Sequence, residues 1–109
     1  MSLIISDWDG TASDHKEILQ IANGIITGRS YQEAEDLYNE AGELTLPVYF
    51  NPVTTKENDA QKIVMWKAEM INRLKADKFY EDMPDEAVKL RLLCPGCKIL
   101  LVHKGVVKT

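Results

Sequence analysis

Five short apolar runs punctuate the chain, at residues 3–6, 24–27, 44–50, 78–80 and 99–103. They are continuous rather than alternating, the pattern of strands covered on both faces. Helical spacing fills the gaps. Ser30 and Glu33 stand as a capping box, and Tyr31, Ala34, Tyr38 and Ala41 then recur at helical intervals until Gly42. A longer helix is predicted over 58–75, and a third over 84–93 with Pro84 in its first turn. Residues 14–22 have room for one or two further turns. Strands alternating with helices predict a three-layer α/β, Rossmann-like fold around a parallel sheet. In such folds ligands bind beyond the carboxyl ends of the strands.

Those ends carry unusual chemistry. The first strand finishes in Asp7-Trp8-Asp9-Gly10-Thr11, the second in Thr27-Gly28-Arg29 and the fourth in Glu81-Asp82. Clustered carboxylates repel and raise one another's pKa unless a cation sits among them. A hard divalent ion with oxygen ligands removes the conflict, and magnesium commonly uses one or two carboxylates plus substrate phosphate. Taken singly, each feature has a plainer explanation: Asp and Gly favour turns, and Asp82 could cap the third helix. The combination is what points to a metal-assisted site.

The long helix contains an anomaly. Ile63, Trp66, Met70, Ile71 and Leu74 follow the spacing of a buried face, and Lys67 falls inside it. At 100° per residue Lys67 lies about 40° from Ile63, whereas Lys62 lies about 100° away on the other side. A lysine among core positions either runs its stem to solvent or finds an anion.

Charge and composition narrow the field. The chain has 109 residues, 45% hydrophobic and 28% charged, with a net charge of −4. One domain over 1–109 is expected, with the composition of a soluble globular protein. No apolar run nears the ~18 residues that span a membrane, and Asp7 comes too early for a signal peptide, so a cytoplasmic location is expected. The acidic balance gives no support to sequence-independent binding of long nucleic acid. Cys94-Pro-Gly-Cys97 follows an expected helix and precedes a strand, the reverse of a redox motif, and only His15 and His103 could add soft metal ligands. A Pro-Gly turn accounts for it.

With these residues in place, the chain resembles the haloacid dehalogenase-like phosphohydrolase superfamily. Its DxDGT motif is matched by Asp7-Trp8-Asp9-Gly10-Thr11, its strand-two Thr by Thr27 in "IITGR", its lysine by Lys67 or Lys62, and its acidic pair by Glu81 and Asp82 in "FYEDMPDEA". The stretches look most like small phage and bacterial members, including the phosphatase half of polynucleotide kinase-phosphatases. The resemblance implies a five-stranded parallel sheet in the order 5-4-1-2-3 with a minimal cap or none. It implies Asp7 as nucleophile forming an aspartyl-phosphate and Asp9 as general acid, then base. Thr27, with backbone N–H groups at Gly28 and Arg29, would hold phosphate, and Lys67 would stabilise the transferring charge. Mg²⁺ would be held by Asp7, Asp9 through its carbonyl, and Asp82, with Glu81 either a ligand or a partner behind one. Family spacing fits Lys62 about as well as Lys67; the helical face favours Lys67. A capless site is open, which suits a macromolecular end or a substrate enclosed by a second copy in a homo-oligomer; of the partners expected, a phosphorylated small molecule or a nucleic-acid end, the resemblance favours a nucleotide or a nucleic-acid end phosphate. A second expectation is a fold-preserving binding or regulatory module with little turnover.

Overall fold

At the centre of the sheet lies β1, Ile4–Ser6, paired in parallel with β2, Gly24–Ser30, on one side and β4, Lys78–Glu81, on the other. The computed structural model describes residues 2–52, 60–103 and 106–108. Outward from β2 comes β3, Val48–Asn51; outward from β4 come β5, Lys98–His103, and β6, Val106–Lys108. The order is β3-β2-β1-β4-β5-β6, with β6 antiparallel on the β5 edge. The expected parallel order 5-4-1-2-3 is this sheet read from the other edge; β6 is an addition.

Alternate strand residues face opposite layers. Ile5, Ile26, Phe79 and Ile99 join Val64, Ile71, Ala87 and Leu90 from helices α2, Ala60–Leu74, and α3, Pro84–Leu93. Ile25, Tyr80, Leu100 and Val102 join Trp8, Ile18 and Leu37, the last from α1, Ala34–Ala41. Strands buried on both faces leave no position for polar alternation, which is why the runs read as continuous. Each fully buried Ile, Leu or Phe contributes ~1.5–3 kcal/mol by leaving water, so the two clusters drive the layering.

Local differences from the sequence reading have simple causes. The third strand begins at Val48 rather than 44, because Pro47 cannot donate to the sheet; its carbonyl instead accepts the N–H of Ile25. The second strand runs past Thr27, shifting register before Ser30 pairs with Asn51. The Ser30–Glu33 capping box forms, but it opens a 3₁₀ turn at Tyr31–Glu33 before α1 proper. Leu37, not the tyrosines, is the buried residue of α1: Tyr31 and Tyr38 are exposed and lean on Phe50. Residues 14–22 hold one 3₁₀ turn, Lys16–Gln20, and no inserted domain interrupts β1 and β2. The expected start of the long helix at residue 58 lies outside the described residues. No helix is long and apolar enough to cross a membrane among the described residues.

Candidate active site at the strand ends

The chain leaves β1 at Asp7, whose N–H still donates to the Tyr80 carbonyl of β4 at 3.0 Å. That last sheet bond holds the Asp7 backbone while its side chain turns into the space beyond the sheet. Asp7 is buried. The next residues form an irregular turn, Trp8–Ala12, hinged at Gly10 with φ +73°. Gly10 is needed twice over. An L side chain rarely adopts that φ, and a Cβ there would press on the Asp82 carboxylate, its Cγ only 2.8 Å away. Thr11, fully enclosed, donates its hydroxyl to Asp82 Oδ1 at 3.0 Å, tying the turn after β1 to the end of β4.

From α2, Lys67 reaches this cluster. Its Nζ stands 3.4 Å from Asp7 Oδ1, 3.2 Å from Glu81 Oε2 and 3.4 Å from Glu86 Oε1. Lys67 is only 3% exposed and sits at the centre of the buried face of α2, with Val64, Ala68 and Ile71 around it. Trp66, Met70 and Leu74, expected to share that face, are half-buried at its margin. Lys62 is exposed and lines a different groove, of about 910 Å³, on the outer side of α2 with Met65 and Trp66. That groove is the larger, yet it contains none of the strand-end residues. Of the two lysines, Lys67 is the one that meets Asp7.

Electrostatics follow from burial. Loss of solvent pushes the Asp7 carboxyl up to about 6; Lys67 pulls against this, while Asp82 and Glu86 push with it. Glu81, wholly enclosed, is pushed up to about 9 by burial and then by the Asp7 charge, again against Lys67. Burial works against the Lys67 ammonium, but Asp7, Glu81 and Glu86 outweigh it and hold its pKa above the ordinary lysine value. Three carboxylates (Asp7, Glu81 and Glu86) thus share one ammonium, with Asp82 acting on Asp7 beside them, an acidic cluster whose ionised form a cation would favour.

The donors suit a hard divalent ion. One oxygen each from Asp7, Glu81 and Asp82 lie within 4.8 Å of one another. Magnesium takes oxygen ligands, one or two of them carboxylates, and this cluster offers that kind of donor. Within the set the roles differ. Glu81 Oε2 is bound to Lys67, and Oε1 accepts the N–H groups of Asp82 and Met83. Asp7 and Asp82 are thus the stronger candidates for direct ligation, with Glu81 fixing the lysine behind them.

The cleft above the cluster has a volume of about 420 Å³ and is lined by Asp7, Asp9, Gly10, Gly28, Arg29, Lys67, Asp82 and Glu86, among others. Gly28 belongs there because a Cβ would meet Ile63 Cγ2 at 3.0 Å. Thr27 is fully enclosed and does not line the cleft; its Oγ1 accepts the Arg29 N–H at 3.1 Å and shapes the strand end. Asp9 is exposed at the mouth and gripped by the Arg29 guanidinium, with Nε at 2.9 Å and Nη2 at 2.6 Å. The same guanidinium grips Glu40 of α1 at 2.6 and 3.0 Å. These paired carboxylates hold the Arg29 pKa above its ordinary value.

Three residues of the site escaped the sequence reading. Thr11 stood inside the recognised motif without an assigned role. Glu86 carried a signal, lying four residues after Asp82 and so one helical turn on. Glu40 carried none, since its link to Arg29 crosses from α1 to β2. No protein-family model, curated protein or solved structure matches the chain.

Proposed function

We propose that this protein is a Mg²⁺-dependent phosphomonoesterase of the haloacid dehalogenase-like type, working through an aspartyl-phosphate. The observation that carries this reading is the meeting of Asp7, Lys67 and Asp82 at the carboxyl ends of parallel strands, at the floor of an open cleft. Asp7, Asp82 and the Asp9 carbonyl would hold the metal, which when bound screens the phosphate charge and orients it. Glu81 would keep Lys67 in place.

Asp7 Oδ attacks phosphorus in line, and the ester oxygen leaves as its bond to phosphorus breaks. Asp9, carrying the proton, delivers it to that oxygen. Lys67 stabilises the charge on the transferring group, where most of the electrostatic work lies. Water then gives its proton back to Asp9 and attacks the aspartyl-phosphate, freeing Asp7 and inorganic phosphate. Gly28, which lines the cleft, would let the phosphate approach the backbone closely, while the Arg29 N–H is already taken by Thr27 Oγ1 and Thr27 shapes the strand from below.

The open cleft and the absence of an inserted domain between β1 and β2 favour a substrate that brings its own bulk, and a nucleotide or nucleic-acid end phosphate is the substrate class proposed. Cytoplasmic residence accords with two buried free thiols. The test is phosphate release from nucleotides, 3′- and 5′-phosphorylated oligonucleotides and sugar phosphates, with Mg²⁺ or with chelator. Release that needs Mg²⁺ and falls at least ~10⁴-fold in Asp7→Asn is expected. No release on any substrate would leave a binding module on the same fold.

A further inference from the structure

Glu40 has no part in the chemistry above, yet it occupies an unfavourable place. It stands in the last turn of α1, where the helix dipole disfavours a carboxylate. Its two oxygens accept from Arg29 Nη1 at 2.6 Å and Nη2 at 3.0 Å, which offsets that disadvantage. Arg29 turns its remaining edge to Asp9, donating from Nε and again from Nη2. A planar guanidinium clamped along two edges cannot rotate, so the Asp9 carboxylate beyond it is held in one orientation. Asp9 needs such a hold: it is exposed, it precedes the Gly10 hinge, and alone in water it would sample several rotamers. The enclosed Trp8 indole completes the shell; its N–H has no hydrogen-bond partner among the described residues, and it lies close enough to Glu40 to bias that carboxylate toward its charged form, after Arg29.

We propose that Glu40 is a positioning residue which, through Arg29, fixes the Asp9 carboxylate at the mouth of the cleft, so that Arg29 serves Asp9 rather than the substrate phosphate. This inference rests on the phosphatase reading. It assigns α1 a part in the reaction although no atom of α1 need touch substrate.

The experiment compares kcat and KM for p-nitrophenyl phosphate at saturating Mg²⁺ in the unsubstituted protein, Glu40→Gln, Arg29→Lys and the double variant. Glu35→Gln, which removes the same charge from the exposed side of α1, is the control. Glu40→Gln is expected to lower kcat roughly tenfold or more while KM moves less than about twofold, because misplacing a reacting group affects the chemical step. Arg29→Lys, unable to span both carboxylates, should lose at least as much, and adding Glu40→Gln to it should cost nothing further. Glu35→Gln should behave as the unsubstituted protein. A raised KM with unchanged kcat would show that Arg29 binds substrate, and would overturn the proposal. Equal losses in Glu40→Gln and Glu35→Gln, or additive losses in the double variant, would overturn it as well. An unsubstituted protein with no turnover would remove the phosphatase reading and this inference with it, whereas normal turnover in Glu40→Gln removes only the inference.

Discussion

Lys67 Nζ lies 3.4 Å from Asp7 Oδ1, both side chains almost wholly buried, at the point where β1 and α2 converge. A buried ammonium is tolerated only when paired, and here three carboxylates share it. The lysine is therefore both a structural counter-ion and the residue best placed to steady charge on a group attached to Asp7.

Lys67→Met should abolish turnover and destabilise the fold by ~3 kcal/mol, because Asp7 and Glu81 would lose their shared cation. Lys62→Met, on an exposed face, should change stability by less than ~0.5 kcal/mol and leave turnover intact. Denaturant titration and phosphate release on both variants check this; the reverse ranking would return the motif lysine to position 62.

Without metal, stability should fall as pH rises from about 5 to about 9. The folded-state carboxyls of Asp7 and Glu81 are raised to about 6 and about 9, from 3.8 and 4.5, so the folded state holds more protons than the unfolded one across this window. The stability they lend is whole below pH 4 and is lost as pH climbs through each raised value. Lys67, raised above the ordinary lysine value, loses nothing within this range. Mg²⁺ should restore stability most at the alkaline end, where the carboxyls are ionised and ready to bind. Thermal unfolding at several pH values, in chelator and in Mg²⁺, gives the test; a midpoint that rises with pH in chelator would contradict it.

Gly10→Ala should cost ~1–3 kcal/mol and weaken the Mg²⁺-induced rise in unfolding temperature. Gly42→Ala is the comparison, since Gly42 shares φ +73° but has open space where a Cβ would go. Backbone strain alone would lower stability in both. Only Gly10→Ala should disturb Mg²⁺ binding, because only there does the Cβ meet Asp82.

Cys94 and Cys97 should resist thiol reagents in the native protein and react at once in denaturant. Both are buried, and Cys97 is pushed up to about 12 by burial, with Cys94 and Asp77 adding to it. Burial likewise raises Cys94. Few thiolates are present at neutral pH, and the thiolate is the reactive form. Rapid native-state labelling, or activity that depends on reductant, would reopen a redox role for this pair.

Much of this molecule could be read before any coordinates. Continuous apolar strands, a proline-started α3 and a glycine-ended α1 are local signals, set by side-chain periodicity and backbone preference over a few residues. The Asp7 and Glu81-Asp82 strand ends were legible for the same reason, whereas β2 runs on past Thr27 to Ser30; helical geometry singled out Lys67 because its face is a property of one helix. What remained hidden depends on contacts between elements far apart in the chain. That Thr11 grips Asp82, that Glu81 serves Lys67 while Asp82 faces the turn after β1, and that Arg29 is claimed by Asp9 and Glu40 are outcomes of how β1, β2, β4, α1 and α2 come together. Local pattern is decided by propensity and hydrophobic spacing; the partner of a charged side chain is decided by which elements packing brings within a few ångströms, and by the burial that makes leaving it unpaired so costly.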